Sequence, residues 1–177
     1  MKRYVLTGAP GAGKTVLLRR LELAGYAVVE EAATDIIAAA HGDGDTEPEN
    51  RPDFLDAILR LQQQRQAQPW AGPVQFVDRS AVCTWALARF LGREPSPELR
   101  RAAESAADTF HRTVLFVGNL GFCTPTAARR ISFEDALRFE AVHAEAYETF
   151  GFTLLHVPAA APSQRLEQVR RALRLPA

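Results

Sequence analysis

Apolar positions along the chain follow two alternating periods. Short runs rich in β-branched and aromatic residues fall at 3–7, 26–30, 74–78, 113–118 and 152–157. Between them, apolar residues recur three and four positions apart, which predicts helices over about 14–24, 31–40, 53–68, 80–91, 96–110, 133–149 and 162–174. Strands that alternate with helices build βαβ units. The expected fold is therefore α/β with three layers: a five-stranded parallel sheet covered by helices on both faces. The helix over 133–149 carries its own start signal, because Ser132 can cap it with Asp135 three residues on.

Two segments break the pattern. Residues 41–53 are polar and hold Gly42, Gly44, Pro48 and Pro52, which predicts a mobile loop, and residues 119–130 link the fourth strand to the Ser132 helix. Both are long enough to act as lids. With 177 residues and no repeat or linker, a single domain is expected, with 119–130 as a lid and 41–70 as the region that receives a substrate.

Charge narrows the partners. Acidic and basic residues balance at 21 each, so net charge gives no strong nucleic-acid signal and no pull to an anionic membrane. No apolar run spans a bilayer, and Gly8 comes too early for a signal-peptide core, so a cytoplasmic location is expected. Cys83 and Cys123 stand apart, as reduced thiols do. Lys2 and Lys14 are the only lysines in an arginine-rich chain. A compact ammonium has been kept at position 14, where a broad guanidinium would fit poorly among phosphates.

Gly8-Ala9-Pro10-Gly11-Ala12-Gly13-Lys14-Thr15 matches the phosphate-binding pattern G-x-x-x-x-G-K-[ST] in full. It follows a predicted strand and opens a predicted helix at Val16, the context that the chemistry needs. Glycines let backbone N–H groups reach phosphate oxygens, and the helix N-terminus adds its positive dipole end. Residues 8–16 are expected to bind ATP or a close relative, with Lys14 spanning the β- and γ-phosphates and the Thr15 hydroxyl on magnesium.

In an open parallel sheet, ligands sit outside the carboxyl ends of the strands, so charges there are candidates. Asp78 ends the third run and is followed by Arg79 and Ser80. Asp78 can hold magnesium and Arg79 can meet a phosphate; alternatively Asp78 and Ser80 cap the next helix and Arg79 is an ion-pair partner. Glu30 and Glu31 end the second run; at most one can face the site, as a base or orienter of an acceptor hydroxyl, and the alternative is a helix-dipole role for both. Arg129 and Arg130 can close over a transferring phosphoryl group, or form a solvated pair. Arg165, Arg170, Arg171 and Arg174 look like an exposed helix face. The four histidines lack metal-ligand spacing, with His143 expected to be structural. Phe54, Trp85 and Phe90 line a base pocket or belong to the core.

Absent motifs narrow the class. No Asn-Lys-x-Asp element follows the fourth strand, no ABC-type signature appears, and the chain is too short for the helical subdomain of an AAA+ motor. The ordered set GAPGAGKT, GYAVVEEAA, FVDRS, TAARRISFEDALRFEAVHAEAY and GFTLLHVPAAAPSQR resembles the compact bacterial AAA-domain ATP-binding proteins. These are similar to the kinase half of nicotinamide riboside kinases and to deoxynucleoside kinases. The resemblance implies a P-loop NTPase fold with a kinase-like lid, Glu31 as the strand-two acid, Asp78-Arg79 as the Asp-Arg pair and Arg130 as the lid arginine. Thr34 departs from the pattern, standing where the family often has an arginine. The expectation is an ATP- and magnesium-dependent kinase acting on a small hydroxylated, nucleoside-like molecule. The rival is an ATPase or nucleotide-dependent switch with a protein partner.

Overall fold

The computed structural model describes residues 1–122 and 131–176. In chain order the elements are β1 (Lys2–Thr7), α1 (Lys14–Leu23), β2 (Ala27–Val29), α2 (Ala33–Gly42), a 3-10 turn (Pro48–Asn50), α3 (Phe54–Gln66) and β3 (Val74–Asp78). There follow α4 (Ala81–Phe90), α5 (Pro97–Glu104), α6 (Ala106–Thr109), β4 (Thr113–Val117), α7 (Phe133–Thr149), β5 (Thr153–Val157) and α8 (Pro162–Leu173). The five strands form one parallel sheet in the order β2-β3-β1-β4-β5. All carboxyl ends therefore share one edge, with β1 in the centre.

Period-two alternation along β1 sends its side chains to two cores. Tyr4 and Leu6 join Leu17, Leu18 and Leu21 of α1 and Val169 of α8 on one face. Val5 joins Val77, Val114 and residues of α4 and α7, including Ala86, Phe139 and Tyr147, on the other. A third cluster, with Phe54, Ile58, Leu59, Ala88 and Leu99, ties α3, α4 and α5 together beside the sheet. Each fully buried leucine here contributes about 1.5–3 kcal/mol, and these layers fix the strand ends.

Local signals account for the element boundaries. Ser132 accepts from the Asp135 N–H at 3.0 Å and caps α7. The helix expected over 96–110 is instead two helices, because Ser105 turns its hydroxyl back onto the Arg101 carbonyl, 2.9 Å away, and so competes with the helical ladder. Residues 41–53 are not one irregular loop. His41 and Gly42 complete α2, Pro48 is buried in the 3-10 turn, and Arg93 donates to the Glu49 and Arg51 carbonyls at 2.7 and 2.9 Å. No helix among the described residues is long and apolar enough to cross a membrane.

Gly8 is where chain and packing meet most closely. Its φ is +131°, and a Cβ there would stand 2.3 Å from the Val117 carbonyl oxygen on the neighbouring strand. Gly8→Ala is expected to cost about 2–4 kcal/mol of unfolding free energy, from backbone strain plus overpacking. Urea denaturation measures this; a loss below about 0.5 kcal/mol would mean that β1 and β4 are not held this tightly.

Candidate functional site

The loop between β1 and α1 wraps the end of the central strand. Gly13 takes φ +85° and delivers the chain into α1, so the first turn of that helix points its N–H groups at the space above the sheet. Lys14 lies underneath, 6% exposed, its Nζ donating to the Gly8 and Ala9 carbonyls at 3.2 and 2.9 Å. Burial, helped by the nearby Arg79 charge, lowers its pKa to about 8, against the opposing pull of Asp78 and Glu31. Gly8, Ala9 and Ala12 form the base of the loop; Pro10, Gly11, Gly13, Lys14, Thr15 and Val16 line the cavity above it.

Register brings the carboxylates in. Leu6 of β1 pairs with Asp78 of β3, so Asp78 stands beside the root of the loop. It is 2% exposed, and its Oδ1 has no hydrogen-bond partner among the described residues. Burial pushes the Asp78 carboxyl up to about 6; Lys14 and Arg79 pull it down and Glu31 pushes it up. Asp78 is therefore not a helix cap. Ser80 is, accepting from the Val82 N–H at 3.3 Å, and its Oγ also lies 2.8 Å from the Tyr147 hydroxyl. A buried polar chain continues from Tyr147 to Cys83 at 3.1 Å and from Cys83 to Thr7 at 3.3 Å, just before the loop. Cys83 is a free thiol, and Cys123 lies outside the described residues.

Arg79 is held by its back. Its φ of +70°, a left-handed conformation rare for a side-chain-bearing residue, turns the chain so that its N–H meets the Leu6 carbonyl at 3.0 Å. Its Nε donates to Glu31 Oε1 at 2.5 Å and its Nη1 to His143 Nε2 at 2.8 Å. A guanidinium only donates and a carbonyl only accepts, so His143 is the neutral tautomer, with Nδ1 donating to the Phe139 carbonyl at 2.8 Å. Burial, together with the Arg79 charge, holds the His143 pKa well below its usual value. His143 is structural, as expected from sequence, but its structural task is to set the direction of a charged side chain.

The two glutamates separate as strand geometry requires. Glu30 turns outward to an ion pair with Arg19, while Glu31 lines the cavity. Glu31 accepts from Arg79 and, at 2.9 Å, from Thr34, and Arg65 braces its carbonyl at 2.5 Å. Burial alone would raise the Glu31 pKa, but the Arg79 and Lys14 charges and the hydrogen bonds from Thr34 and Arg79 take it to about 2. Thr34, the residue that departs from the family pattern, thus has a partner in the site.

These groups surround one cavity of about 520 Å³. Its phosphate end is the loop, Glu31 and Arg79 stand where it widens, and Ile37, Phe54, Ile58, Leu87 and Phe139 make the far end apolar. Gln62 and Thr84, bonded to each other at 3.0 Å, supply polar atoms to that apolar end. Of the three aromatic candidates, Phe54 faces the cavity, whereas Trp85 packs on Phe150 and Phe90 on Phe139. Arg129 and Arg130 lie outside the described residues.

A further sequence expectation is overturned at the site. Arg165 does not belong to an exposed face: it is 3% exposed and reaches the phosphate loop. Its place four residues before the buried Val169 puts it on the inner stripe of α8, a spacing visible in the sequence. Arg171 and Arg174 are exposed, and Arg170 is half-buried beside Glu167.

A family model described as an AAA domain matches residues 3–165. No curated protein matches the chain. Among solved structures, the chain is similar to the NadR protein in complex with NAD and AMP-PNP, with a TM-score of 0.74 and 16% identity over 99% of this chain and 50% of that one. It thus spans about half the length of NadR. Deoxyadenosine kinase from M. mycoides with bound dCTP aligns with a TM-score of 0.64 and 12% identity, covering 98% of this chain and 99% of that one. Thymidylate kinase from Candida albicans aligns with a TM-score of 0.59 and 12% identity, covering 98% and 91%. At such identities the likeness establishes the P-loop kinase type of fold.

Asp78 yields a pH test. Its folded value, about 6, lies above the ordinary 3.8, so the native state holds this proton more tightly than the unfolded chain does. That contribution is complete below about pH 4 and lost as pH rises through about 6. Asp78→Asn in chelator is therefore expected to raise Tm by roughly 3 °C or more at about pH 8, and by less at about pH 4. Equal gains at both pH values in thermal denaturation would contradict a buried, penalised carboxylate.

Proposed function

We propose, from the premise that this chain belongs to the AAA domain family, that it is an ATP- and magnesium-dependent phosphotransferase. Its acceptor is a small hydroxylated molecule, nucleoside-like in size. One observation carries the reading: the phosphate loop opens into a recessed pocket of about 520 Å³, apolar at its far end, with a charged pair, Glu31 and Arg79, at the junction. A nucleotide switch that signals to a protein partner calls for an exposed apolar surface rather than a recessed pocket of this size beside the loop.

Each residue then has a task. The N–H groups of residues 8–16 cradle the phosphates, and Lys14 neutralises charge on the β- and γ-groups. Arg79, held from behind by Glu31 and His143, presents its remaining N–H groups to the transferred phosphoryl. Magnesium fits the residues present, since Asp78 offers an unpaired buried oxygen and the Thr15 hydroxyl lines the phosphate end. Among the described residues no group of three or more His, Cys, Asp or Glu could hold a metal alone, as suits a cation that relies on phosphate oxygens. Bound there, it would supply neutralisation of charge on the phosphates. The sequence pattern alone nominates Arg129 and Arg130, which lie outside the described residues, for the same task.

Glu31 acts as orienter rather than base. With its pKa taken to about 2, it is a poor proton acceptor, but each oxygen keeps a lone pair for the acceptor hydroxyl. Phosphoryl transfer through a loose transition state asks mainly for positioning, so a weak base suffices.

Acceptor-stimulated ADP release across a panel of nucleosides and small alcohols tests this reading; no stimulation by any of them would favour the switch. Lys14→Ala is expected to remove at least about 10²-fold of turnover with Tm little changed, and unchanged turnover would remove the central assignment. Glu31→Gln should leave the ATP Kd within about threefold while lowering transfer by about 10²-fold or more, measured by single-turnover kinetics. An unaltered transfer rate would shift the hydroxyl contact to Asp78.

A further inference from the structure

Arg165 stands in the first turns of α8, and its guanidinium is enclosed by three loops. Nη1 donates to the Ala12 carbonyl at 2.5 Å, Nη2 to the Gly118 carbonyl at 2.7 Å and Nε to the Pro158 carbonyl at 3.0 Å. These carbonyls follow β1, β4 and β5, three strands adjacent in the sheet. Among the described residues no carboxylate lies within ion-pair distance of Arg165. A buried cation bonded only to neutral carbonyls is costly to keep; the three carbonyls it satisfies account for a donor at this place, but not for a full positive charge.

The position of the charge supplies a reason. The Ala12 carbonyl and the Gly13 N–H belong to one peptide unit, and Gly13 lines the phosphate end of the cavity. A charged donor on the carbonyl side polarises that unit and strengthens its N–H as a donor. Gly13 also leaves room for the guanidinium, because a Cβ there would stand 3.1 Å from Arg165 Nη1. Asp78 ends β3 and Glu31 follows β2, both on the other side of β1, and neither pairs with Arg165.

We infer that Arg165 is a positioning residue of the phosphate site, one that fastens the loop to the ends of β4 and β5 and adds an uncompensated positive charge beneath the polyphosphate. This assignment rests on the nucleotide-binding part of the proposed function, not on transfer to an acceptor. Binding, and not turnover, therefore reads it.

The experiment is calorimetric titration of ATP, ADP, AMP and inorganic pyrophosphate with magnesium into wild type, Arg165→Met and Arg165→Lys, alongside thermal denaturation. Arg165→Met is expected to weaken ATP, ADP and pyrophosphate by about tenfold or more, and AMP by less than about twofold. Arg165→Lys, which keeps the charge but cannot span three carbonyls, should recover part of the loss. A fall in Tm with ATP and pyrophosphate affinities within about twofold of wild type would make Arg165 a mere strut and overturn the inference, as would equal losses for ATP and AMP. If the Met variant does not fold, the Lys variant decides by the same comparison of polyphosphate with AMP. A wild type that binds polyphosphate but transfers it to no acceptor would sink the phosphotransferase reading and leave this one standing; a wild type that binds no polyphosphate would overturn both.

Discussion

The site depends on one electrostatic constraint: Lys14, Asp78 and Arg79 are withdrawn from water, with Glu31 half-buried against them, at the ends of three adjacent strands. A single such charge, isolated, would neutralise itself or unfold its surroundings. As a group they compensate in part, through the Glu31–Arg79 pair and the mutual fields recorded in their shifted pKa values. The compensation is incomplete at Lys14 and Asp78, whose charged forms remain penalised. Those are the two groups that a polyphosphate and a divalent cation would each relieve.

The surrounding fold serves to hold this cluster. Apolar layers on both faces lock β1, β3 and β4 in register, which sets Asp78 beside the loop root. The second layer of support is polar. His143 on α7 directs Arg79, Thr34 on α2 directs Glu31, and Tyr147 with Ser80 ties α7 to the start of α4. A displacement of α7 would thus alter the aim of Arg79 without touching any ligand.

Much of this arrangement is legible in the sequence, because it is local. Strand and helix periods located every strand, the glycine spacing located the phosphate loop, and strand ends nominated Glu31, Asp78 and Arg79. What sequence could not supply were pairings between distant elements. Nothing near Glu31 says that residue 79, 48 positions on, will share its charge, and nothing near His143 says that it will accept a bond from Arg79. Arg165 escaped for a different reason. Arginines at 165, 170, 171 and 174 read as a solvated stripe, and only the phase set by Val169 separates the first from the last two. The break at Ser105 was missed because helical period continues on both sides of a single hydroxyl bond.

The two carboxylates, Glu31 lining the cavity and Asp78 buried beside the loop root, illustrate how environment, and not residue type, assigns roles. Each Glu31 oxygen accepts one bond, from a guanidinium or a threonine hydroxyl, and the carboxylate is held as an anion. Asp78 is more deeply buried and lacks a partner for Oδ1, so its charge is held at a cost that Lys14 and Arg79 offset in part and an incoming cation would offset further. Two acids a few residues' width apart on neighbouring strands are thereby driven in opposite directions. Under the proposed function, the ion-paired one would orient a neutral hydroxyl through its remaining lone pairs without competing for its proton, and the unsatisfied one would gain most from a hard metal. Exchanging their settings would give an orienter that binds metal at the acceptor and a metal ligand already occupied by arginine. The same four charges would then have no division of labour, so the pairing pattern, more than the presence of two carboxylates, makes the cluster suited to handling a phosphoryl group.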